Sequence, residues 1–172
     1  MKRQGLWLLL AANAAVLSAC STTAPPNAKL TAPPAPSTAS AGMKWNAFAT
    51  PDDERRLAYG LPDSDVVGII FSCRRKAPAV GFVTNLADGK PGTGTVRFRS
   101  GKAQGRYTAR LTPSEIADGL DAVGEIPLAD AVLAAFEKSG LISQVEDKPY
   151  PQDARTPAER ADIKRFFGFC RG

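Results

Sequence analysis

Apolar positions recur along residues 44–172 with two different periods, and the switch between them divides the chain into elements. Trp45, Phe48 and the stretch Arg55 to Tyr59 suit one or two strands around the turn Thr50-Pro51-Asp52-Asp53. Val66 to Cys73 is a nearly continuous apolar run of strand length and reads as a buried strand. Ala79 to Leu86 is a further apolar strand, closed by the polar stretch up to Lys90. From Gly94 to Ser100 the pattern alternates, Val96 and Phe98 on one face and Arg97 and Arg99 on the other. Gly105 to Leu111 alternates too, with Tyr107, Ala109 and Leu111 opposite Arg106, Thr108 and Arg110. The segment Ser100 to Gln104 between them suits a hairpin loop. Leu120 to Ile126 reads as another strand.

The period then lengthens. Pro127 opens a helix over 128–138 whose Leu128, Val132, Leu133 and Phe136 share a face, and Ser139-Gly140 ends it. Leu141 to Val145 reads as the last strand. Thr156-Pro157-Ala158-Glu159 is a capping box with proline at the first helical position. From it a helix over 157–170 places Ile163, Phe166, Phe167 and Cys170 on one face. Strands followed by segregated helices predict an α+β domain with a mainly antiparallel sheet, folded as a sandwich or a partial barrel.

The first 19 residues follow neither period. Lys2 and Arg3 precede a mostly apolar run from Leu6 to Val16, and small residues follow. That is the layout of a secretory signal peptide, too short in its apolar core to span a bilayer. Its end, Leu17-Ser18-Ala19-Cys20, resembles the lipobox of bacterial lipoproteins. The resemblance implies removal of residues 1–19 and lipidation of Cys20, so that the membrane is engaged through two or more acyl chains. It also implies, with Ser21 in place of an Asp, an outer-membrane anchor facing the periplasm, or a cell-membrane anchor in a Gram-positive host. Residues 20–43 then form a tether with five prolines and one charge, Lys29. At roughly 3 Å per residue such a tether reaches about 60 Å. Residues 44–172 make up a single domain.

With Cys20 lipidated, Cys73 and Cys170 remain. Export places them in an oxidising compartment, and both stand on core-facing positions, so a structural disulfide between them is expected. The alternative is two buried free thiols.

Charge and chemistry narrow the function. The formal net charge of +5 falls to +3 once Lys2 and Arg3 leave. Between Arg74 and Arg110 there are nine basic residues and one acid, Asp88, whereas from Leu111 onward there are seven basic and eleven acidic residues. Alternation puts Arg97, Arg99, Arg106 and Arg110 on one face of the proposed hairpin, with Lys102 at its tip. That ribbon is a candidate site for an anionic envelope component, an acidic protein or the chain's own acidic half. Nucleic acid is disfavoured, because no aromatic platform is interleaved with the basic side chains.

The chain has no histidine, and therefore neither the commonest general base nor the commonest metal ligand. No phosphate-binding loop or dinucleotide fingerprint is present, so no cofactor and no metal are expected. The carboxylates at Asp52-Asp53-Glu54 and Asp63/Asp65 could serve a hydrolase acting on cell-wall material. Their turn-like context favours turn formation instead. Ser100-Gly101 with Arg106-Tyr107 resembles the Ser-Gly-x-Arg-Tyr segment of the membrane-bound C-type lysozyme inhibitors, though with wider spacing and two extra helices. That likeness implies a lysozyme-blocking function. More broadly, the domain resembles small envelope lipoproteins of proteobacteria with a strand cysteine and a C-terminal helix cysteine. The expectation is a non-catalytic envelope lipoprotein with a structural or interaction role.

Overall fold

The computed structural model describes residues 42–146 and 149–172. Residues 1–41, which hold the expected signal segment, Cys20 and most of the expected tether, lie outside the described residues. Met43 is packed into the core.

Nine antiparallel strands form one sheet: β1 (Lys44–Ala49), β2 (Glu54–Gly60), β3 (Val67–Arg74), β4 (Ala79–Leu86), β5 (Gly92–Ser100), β6 (Ala103–Pro113), β7 (Leu120–Pro127), β8 (Leu141–Val145) and β9 (Pro149–Asp153). Their spatial order is β1-β2-β3-β4-β7-β6-β5-β8-β9, and the end strands β1 and β9 approach each other. The sheet is therefore a nearly closed barrel, which decides between the sandwich and the partial barrel. Helix α1 (Ala131–Ser139) joins β7 to β8, and α2 (Pro157–Arg171) follows β9. Among the described residues no helix is long and apolar enough to cross a membrane.

Alternation along the strands fills the interior. Trp45, Leu57, Ile69, Phe71, Phe82, Phe98 and Ile126 point inward, and α1 and α2 add Phe136, Ile163, Phe166 and Phe167. The rings form one continuous cluster: Trp45 lies 4.9 Å from Phe136 and 5.2 Å from Tyr59, and Phe136 lies 5.9 Å from Phe167. Burial of each such ring contributes about 1.5–3 kcal/mol. The apolar run of β3 is buried on one face only. Ile69, Phe71 and Cys73 point inward, while Val67, Gly68, Ile70 and Ser72 keep contact with solvent.

The fold also differs from the expected pattern at three places. Helix α1 begins at Ala131 rather than Leu128, because Pro127 ends β7 and the Asp130 side chain accepts the Val132 N–H as the N-cap. Gly140, at φ 75°, closes the helix. Leu141–Val145 is not the last strand, since β9 follows it in a segment holding Pro149 and Pro151. Proline is tolerated there because β9 is an end strand, hydrogen-bonded only to β8 among the described residues. The β5–β6 connection is shorter than the loop expected over 100–104. Ser100 pairs with Ala103, leaving the two-residue turn Gly101-Lys102, with Gly101 at φ 56°.

The capping box of α2 forms as expected, with reciprocal bonds between Thr156 and Glu159. Cys73 and Cys170 are disulfide-bonded, their Cα atoms 5.7 Å apart, and both are buried. The bridge ties the end of α2 to β3 across 97 residues of chain.

Candidate anion-binding face

The hairpin β5–β6 is positioned between β7 and β8, and its side chains divide cleanly between the two faces of the barrel wall. Val96, Phe98, Tyr107, Ala109 and Leu111 are buried, while Arg97, Arg99, Arg106 and Arg110 are exposed on the outer face and Lys102 is exposed at the turn. The structure thus brings the five basic residues singled out in the sequence onto one hairpin. Arg97 stands directly opposite Arg106, Arg99 opposite Gln104, and Arg110 opposite Thr93. On their far sides Arg99 faces Ser143 of β8 and Arg110 faces Val123 of β7.

The heads of these arginines are not equivalent. Arg97 leans toward β8, where its Nε donates to the Val145 carbonyl (3.2 Å) and its Nη2 to the Glu146 carbonyl (2.7 Å). Among the described residues, no carboxylate stands within ion-pair distance of Arg97, Arg99, Arg106 or Arg110. Two shallow grooves flank the Arg97–Arg106 pair. One, of about 350 Å³, is lined by Thr95, Arg97, Arg106 and Thr108. The other, of about 330 Å³, runs between Arg97, Arg99, Gln104, Arg106 and Val145. A concave surface lined by cations with spare N–H donors is suited to holding anionic groups.

Two buried polar groups support this hairpin from within. The Tyr107 hydroxyl donates to the Asp130 Oδ1 (2.9 Å), which also caps α1. Burial, reinforced by the hydrogen bond and charge of Asp130, pushes the Tyr107 phenol well above its ordinary pKa. Across the barrel interior, the Thr84 hydroxyl of β4 contacts the side-chain amide of Gln144 on β8. Gln144 Nε2 in turn donates to the Asn85 carbonyl (3.0 Å) and to Glu146 Oε1 (2.7 Å). The strand end that holds Arg97 is thereby tied to the core. Sequence reasoning placed Thr108 on this face by its alternation with Tyr107 and Ala109, but did not identify Thr95 or the Val145 and Glu146 carbonyls as parts of it. For Thr95, the same period-two pattern that revealed the arginines was a sufficient signal.

Two other basic residues of the run from Arg74 lie at the end of α2. Arg75, together with Arg55 of β2, approaches the Phe169 ring (4.6 and 5.0 Å from its centre), and the Lys76 N–H donates to the Cys170 carbonyl (2.8 Å). Cations there complement the negative end of the helix dipole.

Of the carboxylates considered for hydrolysis, the aspartates are placed in turns and Glu54 opens β2. Asp52, Asp53, Asp63 and Asp65 are exposed, Asp53 and Asp63 both at φ 54°, and Glu54 pairs with Arg56. Among the described residues no group of three or more acidic or thiol side chains could hold a metal ion. In the segment resembling the lysozyme inhibitors, Ser100 is buried and its hydroxyl donates to the Leu141 carbonyl (2.7 Å), so only Gly101 and Lys102 project at the turn. No protein family, curated protein or solved structure matches the chain.

Proposed function

We propose that the chain is a non-catalytic envelope lipoprotein, acylated at Cys20 and anchored in the outer membrane facing the periplasm. In this reading its barrel binds an anionic envelope component or an acidic protein through the outer face of β5–β6. The observation that carries it is the concentration of Arg97, Arg99, Arg106 and Arg110 on one exposed surface with no carboxylate within ion-pair distance of them among the described residues. Charged side chains on the wet face of a sheet also discourage aggregation. That alone explains their exposure but leaves the two grooves between them unaccounted for.

Replacing the four arginines by Ser tests the reading. The variant is expected to fold with unchanged circular dichroism but to lose retention on sedimented cell-wall sacculi and outer-membrane fragments. Retention equal to that of the parent protein would overturn the assignment. The anchor is tested separately. Cys20→Ser is expected to abolish incorporation of labelled palmitate and to move the protein from the membrane to the soluble fraction, and continued labelling would refute lipidation at Cys20. A lysozyme assay separates the inhibitor alternative, since slowed lysis by the protein would favour that reading over a cell-wall ligand.

A further inference from the structure

Within the arginine face, four side chains form a smaller unit. Thr95 stands directly opposite Thr108, and two residues along the ladder Arg97 stands directly opposite Arg106. All four are exposed, and together they line the groove of about 350 Å³. Cross-strand neighbours are about 5 Å apart at Cβ, and the next pair on the same face lies about 7 Å along the strands, so the quartet frames a compact rectangle. Like charges directly opposite each other destabilise a ladder. In this chain the Arg97 head is drawn aside by the Val145 and Glu146 carbonyls, which accept from Nε and Nη2 and leave Nη1 without a hydrogen-bond partner among the described residues. Arg106 has no carboxylate within ion-pair distance among the described residues.

We propose that this quartet is a phosphate site, which takes the phosphomonoester group of a phosphorylated ligand. The inference rests on the outer face of β5–β6 being a binding surface, and it adds the chemical class. A carboxylate has two coplanar oxygens and is satisfied by the fork of a single guanidinium. A phosphomonoester carries about −1.5 to −2 charge and three strong acceptor oxygens. It therefore matches a site with two guanidinium groups and two hydroxyl donors, one cation already fixed in place by main-chain carbonyls. The phosphate can come from a lipid headgroup or from a soluble ester, and the chemistry recognised is the same.

The test uses the full chain, ¹⁵N-labelled, titrated with inorganic phosphate and, at equal ionic strength, with acetate. Phosphate is expected to give saturable shifts at the amides of Thr95, Arg97, Arg106 and Thr108, whereas acetate is not. Arg106→Ser is expected to abolish the shifts, and Thr95→Val with Thr108→Val to weaken phosphate binding about tenfold, a change of about 1.4 kcal/mol. Equal shifts with acetate, or a phosphate response unaltered by either variant, would overturn the proposal. Equally strong displacement of phosphate by single-stranded DNA, which offers phosphodiesters, would also overturn it. Flotation with phosphatidylcholine vesicles that contain or lack phosphatidic acid identifies the source: selective flotation with phosphatidic acid supports the lipid headgroup, and phosphate saturation without flotation supports a soluble ester.

The broader reading is judged apart from this one. Loss of sacculus or membrane retention in the four-arginine variant, combined with no preference for phosphate over acetate, would leave the anion-binding face standing and remove the phosphate site.

Discussion

Glu159 takes a negative charge into a position only 5% exposed. Burial alone pushes its carboxyl upward. The Thr156 hydroxyl and the backbone N–H groups of Trp45, Thr156 and Arg155 more than offset this, and the pKa lies below its ordinary value. Because Oε1 also accepts the Trp45 N–H (3.1 Å), the same carboxylate satisfies a donor of the end strand β1. Glu159→Gln turns an amide NH₂ toward these donors and is expected to cost about 2 kcal/mol, read as a lower urea midpoint. The sign of the pH effect follows from the lowered folded value. The stabilisation is complete above the unfolded pKa of about 4.3 and is lost as pH falls below it through the folded value. The parent protein should therefore lose stability in that acid window more steeply than the Gln variant, and parallel acid profiles would contradict the assignment.

At the scale of elements, the β5–β6 hairpin depends on a missing side chain. A Cβ at Gly105 would collide with the Tyr107 ring, whose Cε2 lies 2.9 Å from that position and whose hydroxyl is held by Asp130. Gly105→Ala is expected to destabilise the domain by about 1–3 kcal/mol and to disturb α1 through its cap, which amide exchange at Val132 would report. The strands of this hairpin were legible because one face meets the core and the other water, and a period of two records that division residue by residue. Other elements were not. Pro149 and Pro151 argue against a strand by local rules, and only the place of β9 at the end of the sheet removes the objection. Pro127 can open a helix or end a strand, and its pairing with Ala79 in the β4–β7 ladder chose the second. The capping box of α2 could be read directly because all its partners lie within four residues. Its bond to Trp45, 114 residues away, could not.

For the whole molecule, the disulfide closes a loop of 97 residues between β3 and the C-terminal end of α2. The chain-entropy account assigns such a loop about 4.7 kcal/mol. Cys73→Ser with Cys170→Ser is expected to lower the unfolding free energy by an amount of that order, measured by chemical denaturation. A loss below about 1 kcal/mol would mean that packing of Phe166 and Phe167 alone holds α2 in place. The barrel depends on pairings between distant segments. β4 skips β5 and β6 to pair with β7, and β5 pairs with β8, so the hairpin enters the sheet as a unit. Its arginines therefore sit in the middle of the wall rather than at an edge.

The sequence by itself determined the α+β class, most of the strands and the common face of the four arginines, and it made a Cys73–Cys170 disulfide the expectation once Cys20 was assigned to lipid. The first three follow from local period and the last from counting the cysteines left by the lipobox resemblance, none of which needs knowledge of distant neighbours. Tertiary structure alone decided that the sheet closes toward a barrel, that β9 is a strand, and that Arg97 is held by the β8 carbonyls while Arg106 stands across from it with two threonines alongside. Those features depend on long-range strand pairing, because which segment lies beside which is a property of the whole fold and leaves no trace in local spacing.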